Sequence, residues 1–526
     1  MKWWRRRSRG RADAATCTAR HPPPCGEGWG GGLPRAGHRA QPPPPPNLPR
    51  RGGGAASSAR KPLMTQPLYT IADILAATGG TTSLDPTTAI NSVSIDSREL
   101  GPDALFVAIK GDRFDGHDFV DKALDNGAVA ALVSRGEGEH RVVVPDALEG
   151  LRNIARAARA RSRALVVGVT GSVGKTTTKE AIRVVFEAAG QTHASIKSFN
   201  NHWGVPLMLA RLPERAQFGV FEMGMSAPDE IRPLAQLVRP HIAVITTVAA
   251  AHLEAFGSLD GIARAKAEIF AGLEPGGTAV LNADHPQLGV LLDEANAAGV
   301  SNIVTYGEAR GADWRILDIE TAADRSFATV EHNGERHALV LNVPGRHMVA
   351  NATAALAVAH LAGVEPEVAL RALAGFGAQP GRGQRLLLGP ADKPLLLIDE
   401  SYNANTASMT AALDVFAAQT APGGRKLLIL GDMLELGPQS AELHASLAPD
   451  VIASGAERIY LVGASMAALA GALGSSRVAA HTQTAAEMAE IVLNELAYGD
   501  AVMVKGSNGV GLTGIVDKVR KRFEDT

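Results

Sequence analysis

Cysteine is nearly absent: the chain has two, Cys17 and Cys25. Everything after them has neither a disulfide nor a thiolate metal site available, which suits a reducing, cytoplasmic setting. Long apolar runs are missing too. No stretch of about 18 apolar residues occurs, so no transmembrane helix is expected, and the run Arg5-Arg6-Arg7 leads into Pro, Gly and Arg, so no export signal is expected. A cation excess is missing from most of the chain. Residues 1–63 hold 13 Lys and Arg against 2 Asp and Glu, which leaves 39 against 52 for residues 64–526. An acidic body argues against nucleic acid as a partner, because phosphate neutralisation needs clustered Lys and Arg. Small substrates fit better.

Proline and glycine are concentrated where structure is not expected. Residues 1–63 carry 11 of the 30 Pro and 10 of the 56 Gly, and they are expected to form a disordered extension dispensable to the body. The remainder has ordinary globular composition and the length of about three domains at roughly 150 residues each. In residues 64–162, apolar runs at 92–95, 105–109, 128–133 and 141–144 alternate with a helix-like stretch at 119–126, which predicts a small α/β domain. Residues 164–170 form a continuous β-branched run of the kind buried in a parallel sheet. Strands at 218–221, 241–247 and 278–281 then alternate with helices at 229–237 and 259–271, which predicts a doubly wound parallel sheet over residues 163–376. After a linker at 379–383, strands at 395–398, 426–430, 458–462 and 501–504 again alternate with helices. This predicts a third, Rossmann-like α/β domain over residues 377–526.

The sharpest chemical signal is Gly168-Val-Thr-Gly-Ser-Val-Gly-Lys-Thr-Thr177, set between a buried strand and a helix start. A phosphate-binding loop belongs there. Its glycines let backbone N–H groups converge on phosphate oxygens, the helix N-terminus adds partial positive charge, Lys175 reaches the outer phosphates, and Thr176 can ligate Mg²⁺. The general G-x-x-x-x-G-K-[ST] pattern has glycine where this chain has Val169, so the loop is a shortened variant. One strand later, Glu222 in Phe221-Glu-Met-Gly224 stands at a strand's C-terminal edge and is a Mg²⁺ candidate. By spacing alone, His252 is as well explained by a structural role, and Lys266 by a solvated helix position.

Taken together, these residues resemble the Mur ligases, ATP-dependent amide-forming enzymes of bacterial cell-wall precursor synthesis. The resemblance runs over essentially all of residues 64–526. Besides the short phosphate loop it is carried by Asn200-Asn201-His-Trp-Gly204, Gly345-Arg-His347-Met-Val-Ala-Asn351, Gly381-Arg382 and Asp399-Glu-Ser-Tyr-Asn403-Ala-Asn405, in that order along the chain. It implies ATP and Mg²⁺ as cofactors. Thr170, Gly171, Ser172, Val173, Gly174, Lys175 and Thr176 would cradle the phosphates. Thr176 and Glu222 would hold Mg²⁺, and His252 with a carbamoylated Lys266 would hold a second one. Asn282, His347 and Asn351 would lie around adenine. Arg382 and Asp399 would close from the third domain on the γ-phosphate and ribose, while Ser97, Arg98, Asn200 and Asn201 would contact the uridine nucleotide substrate. Lys175, Glu222, His252, Lys266 and Arg382 are the catalytic set.

Within the family, Ile95-Asp-Ser-Arg98 with Asp115-Gly-His-Asp-Phe119 is similar to the first domain of the enzymes that add the third residue or the terminal dipeptide. Gly431-Asp-Met-Leu-Glu-Leu-Gly437 and Lys505-Gly-Ser507 resemble the branch that joins D-alanyl-D-alanine to UDP-N-acetylmuramoyl-tripeptide. The resemblance implies those two partners and a monomeric enzyme. The alternatives are another ligase of the superfamily, of third-residue-adding or folylpolyglutamate type, and a P-loop ATPase that joins nothing.

Overall fold

The computed structural model describes residues 66–111 and 113–524. The expected disorder of residues 1–63, together with both cysteines, lies outside the described residues. The first apolar runs form a four-stranded parallel sheet, Ser92–Ser94, Ala104–Val107, Ala128–Val133 and Arg141–Val143, in that spatial order. The helix Ala147–Arg161 comes next, capped by the Asp146 side chain, which accepts from the Glu149 N–H. Its buried residues Leu151, Ile154, Ala155 and Ala158 recur at helical spacing. They share one core with Val205, Leu207 and Leu209 of the helix Gly204–Ala210, so the apolar interior runs unbroken from the first domain into the second.

The central sheet has nine strands. Leu165–Thr170 lies in its interior between Ile242–Ile245 and Phe218–Glu222, parallel to both. Val166, Val167 and Val169 are completely buried because helices cover both faces, which is why the run is continuous rather than alternating. Thr278–Asn282 and Asn302–Gly307 extend the parallel part. The doubly wound parallel sheet expected from the sequence is incomplete at one side, where Trp314–Thr321, Ser326–His332 and Glu335–Leu341 add an antiparallel edge. The last turn of that edge is Asn333-Gly334, with φ of 50° and 83°, the left-handed pair that a two-residue hairpin requires.

The third sheet has six strands. Leu395–Glu400, Ala501–Lys505, Lys426–Gly431, Arg458–Val462 and Val478–Thr482 run parallel, and Gln384–Leu388 pairs antiparallel at one edge. In both sheets the parallel strands end in loops on one side, where open α/β sheets bind ligands.

Candidate functional site

The phosphate loop is built from its two flanking elements. Strand Leu165–Thr170 delivers it, and helix Lys175–Ala189 leaves it at Gly174, which supplies no side-chain cap. The first-turn N–H groups of that helix therefore keep their donor capacity, reinforced by the helix dipole. Gly171 has φ of 144°, and a Cβ there would come within 1.9 Å of Thr246 Oγ1, so only glycine lets the loop lie this close to the neighbouring strand end. Thr246 Oγ1 donates to the Val173 carbonyl at 2.6 Å, and the Ser172 N–H donates to the Thr247 carbonyl at 2.7 Å. The loop is thus fastened at both its middle and its end.

Lys175 Nζ donates to the Gly171 carbonyl at 2.7 Å. Burial lowers its pKa, the Glu222 carboxylate opposes that, and the Arg382 charge adds to it. Glu222 is only 1% exposed. Both of its oxygens are held at 2.8 Å: Oε2 accepts from Thr176 Oγ1 and Oε1 from Asn200 Nδ2. One helical turn after Lys175, the fully buried Lys179 donates to the Ser195 carbonyl at 2.6 Å and pairs with Glu180 at 2.7 Å.

Lys266 is 2% exposed, which removes the solvated-lysine alternative. Burial pushes its pKa well below the usual lysine range, and the Lys175 charge pushes the same way against Glu268 and Glu230. Glu268 is itself buried and accepts backbone N–H bonds from Asp229 at 2.7 Å, Ile231 at 3.1 Å and Arg232 at 3.1 Å. It therefore caps the helix Ile231–Val238 from a distant part of the chain. His252 stands at φ of 57°, and its Nδ1 contacts the Glu435 carboxylate of the third domain. Burial lowers its pKa, Glu435 raises it, and the charges of Lys266 and Lys175 lower it further.

Arg382 enters from the loop that joins the second and third domains. Its guanidinium lies 4.2 Å from the Tyr402 ring centroid. The loop is pinned by Asp399, whose Oδ2 accepts from the Gly381 N–H at 2.9 Å while Oδ1 accepts from Ser401 Oγ at 2.6 Å. These elements enclose a cavity of about 880 Å³. Its wall includes Ser172, Val173, Gly174, Lys175, Glu222 and His252, together with Asn282, His347, Asn351 and Arg382, and also Asn200 and Asn201. Thr170, Gly171 and Thr176 belong to the loop but not to that wall, and neither do Lys266 and Asp399. Burial holds the His347 pKa below the ordinary histidine value. Ser97 and Arg98 stand apart from the cavity: the Ser97 carbonyl accepts from Asn126 Nδ2 at 2.9 Å, and the exposed Arg98 pairs with Asp96 at 2.7 Å.

Two observations bear on which groups could bind. The buried Oγ1 of Thr170 and Oγ of Ser172 have no hydrogen-bond partner among the described residues, and the latter residue is in the cavity wall. A hydroxyl and helix-start amides together suit an anionic phosphate. The Thr176 hydroxyl and Glu222 carboxylate are hard oxygen donors. Among the described residues no three or more His, Cys, Asp or Glu side chains form a metal cage of their own. Such a donor set fits Mg²⁺, which binds through one or two carboxylates completed by substrate phosphates.

Thr246 and Glu268 carry no motif that marks them, whereas Tyr402 and Glu435 lie inside the motifs at 399–405 and 431–437 without being singled out there. Lys179 did carry a signal, its position four residues after Lys175 on one helix face.

Three family models match the chain: the Mur ligase family catalytic domain at residues 89–166, the Mur ligase middle domain at 169–359, and the Mur ligase glutamate ligase domain at 382–508. The UDP-N-acetylmuramoyl-tripeptide–D-alanyl-D-alanine ligase of Bacillus subtilis is 36% identical over 443 residues, covering 82% of this chain and 93% of the relative. The Escherichia coli ligase of the same name is 35% identical, covering 81% and 93%. A crystal structure of MurF from Acinetobacter baumannii superposes with a TM-score of 0.75 at 31% identity, over 86% of this chain and 99% of that one. A Thermotoga maritima MurF ligase in complex with ADP superposes with a TM-score of 0.68 at 26% identity, over 82% and 97%.

Proposed function

The chain belongs to the Mur ligase family, and from that premise we propose that it joins D-alanyl-D-alanine to UDP-N-acetylmuramoyl-tripeptide at the expense of ATP, in peptidoglycan precursor synthesis. The observation that carries this reading is the likeness to ligases of that one activity over nearly their whole length. The cavity between the phosphate loop and the Arg382 loop supplies a place for the chemistry.

A carboxylate resists attack by an amine, so the reaction needs an activated acyl group. The substrate carboxylate oxygen attacks the γ-phosphorus of ATP, ADP leaves, and an acyl phosphate forms. The dipeptide amine then attacks the acyl carbon, orthophosphate leaves with the former carboxylate oxygen, and the amine releases a proton. In this reading Lys175 and the helix-start amides hold the transferring phosphoryl group from one side, and Arg382 from the other. Thr176 and Glu222 would hold Mg²⁺, which supplies charge neutralisation at the phosphates. Asn200 fixes the second oxygen of Glu222. The low pKa of buried Lys266 favours the neutral amine, the form that reacts with CO₂ to give a carbamate and so turns a cation into an oxygen ligand beside His252. Asn282, His347 and Asn351 would surround adenine, with Asp399 acting through the loop it pins. Ser97 and Arg98 would meet the uridine nucleotide outside the main cavity.

The same reading includes a monomeric enzyme, and the requirement for ATP accords with a cytoplasmic one. The test is acceptor dependence. ADP release should require both the UDP-tripeptide and D-alanyl-D-alanine, and should not proceed with a free diamino acid or glutamate instead. Robust ATP turnover without an acceptor would favour an ATPase that joins nothing.

A further inference from the structure

We infer that Glu435 is a positioning residue through which docking of the third domain sets the orientation of the His252 imidazole. The inference rests on the ligase reading. Glu435 sits at the tip of a loop that the third domain holds rigidly: the Met433 N–H donates to His444 Nε2 at 2.9 Å, the Leu434 N–H donates to Ser507 Oγ at 3.0 Å, and the Ser507 N–H donates to the Asp432 carbonyl at 3.0 Å. His444 and Ser507 are both buried. The tip is therefore not free to follow His252.

The two residues meet in unusual backbone states. Glu435 has φ of 63° and His252 has φ of 57°, a region that residues with a Cβ rarely occupy. Such conformations persist where the surroundings over-determine them, and here they aim two side chains at each other across a domain junction. Two residues further on, Gly437 has φ of 62°, and a Cβ there would lie 3.1 Å from Glu254 Cβ, so the loop and the turn after His252 approach as closely as glycine allows. His252 Nδ1 is buried and pairs with the Glu435 carboxylate, its polar neighbour across the domain junction. A carboxylate on one ring nitrogen fixes the ring plane and presents the other nitrogen to the site. The remaining charges that act on this ring, those of Lys266 and Lys175, belong to lysines. Glu435 is thus the one acidic group set against His252 by the third domain.

The test compares Glu435→Ala with Glu435→Gln, whose amide oxygen can still accept from a ring N–H. We expect Glu435→Ala to lower kcat about tenfold while KM for ATP stays within about twofold, because the phosphate loop is untouched, and Glu435→Gln to recover most of the loss. The second readout is independent of turnover: ¹⁵N shifts of the His252 ring in histidine-labelled protein should report one tautomer in the parent chain and in Glu435→Gln, and a mixture in Glu435→Ala. An Ala variant with parental kcat and an unchanged His252 ring spectrum overturns the inference. So does a Gln variant as impaired as Ala, or a variant that loses only melting temperature. Failure of the ligase reading would show differently, as a parent chain that releases no ADP in response to the two substrates, while the ring spectra would still report on Glu435.

Discussion

Lys175 and Glu222 concentrate the chemistry of this molecule in two side chains that their neighbours hold tightly. Replacing Lys175 by Ala removes a charge-assisted donor without emptying a core position, so the fold should survive while ligation falls on the order of 10²-fold or more. Steady-state assays with a melting curve on the same sample check both halves of that statement. His193 offers a separate test. Burial lowers its pKa from 6.5 to about 4, with a smaller opposing effect from the Met208 carbonyl, 2.7 Å from Nε2. A histidine whose folded pKa is depressed binds fewer protons folded than unfolded, so its contribution is present above about pH 6.5 and is lost as pH falls towards 4. The contribution is on the order of 2 kcal/mol, below the full value of the displacement because the ring keeps some contact with solvent. His193→Gln should flatten the acid limb of the stability curve between those pH values, as denaturant titrations at pH 7, 5.5 and 4.5 would reveal. An unchanged limb would mean that His193 binds its proton in the fold as readily as in the unfolded chain.

At the scale of elements, the helix Ile231–Val238 has no cap in its own sequence and borrows one from Glu268. Glu268→Ala leaves three backbone donors without that carboxylate, and the loss should be about 2–4 kcal/mol, since hydrogen bonds to a charged group contribute about 1.5–3 kcal/mol each and are not additive. The loop 226–230 lines the cavity, so KM for the UDP-tripeptide should rise as well. Intact stability in that variant would show that water can replace the cap. The same helix marks the boundary of what was legible from sequence. The phosphate loop could be read because its strand, its glycines and its lysine are contiguous, and Glu222 because a strand end marks it. Glu268 could not, because its partners lie 36 to 39 residues away and nothing local distinguishes it from a solvated helix glutamate. Glu435 lies inside the Gly431–Gly437 motif, but its partner could not be read there, because it meets His252 only once two domains are folded and docked. The antiparallel edge is a different case. Its hairpin was written in the sequence as the turn Asn333-Gly334, but the residues beside it are charged or histidine, and the β-α alternation on either side drew the reading towards a wholly parallel sheet.

For the whole molecule, the central and third domains together supply the wall of one cavity, and the charge of Arg382 from the third acts on Lys175 of the central one, lowering its pKa. Residues 1–63 are rich in Pro, Gly and charge, so deleting them is expected to leave melting temperature and ligation unchanged; a loss of several degrees would contradict that. Every residue role assigned to the cavity depends on carboxylate activation by γ-phosphoryl transfer. The measurement that reaches this step most directly uses UDP-tripeptide carrying ¹⁸O in its reacting carboxylate, with ATP and D-alanyl-D-alanine, and mass analysis of the products. One ¹⁸O should appear in orthophosphate for each amide bond formed, with ADP as the other product. Label in AMP, or orthophosphate free of ¹⁸O at the rate of ligation, would contradict the acyl-phosphate route.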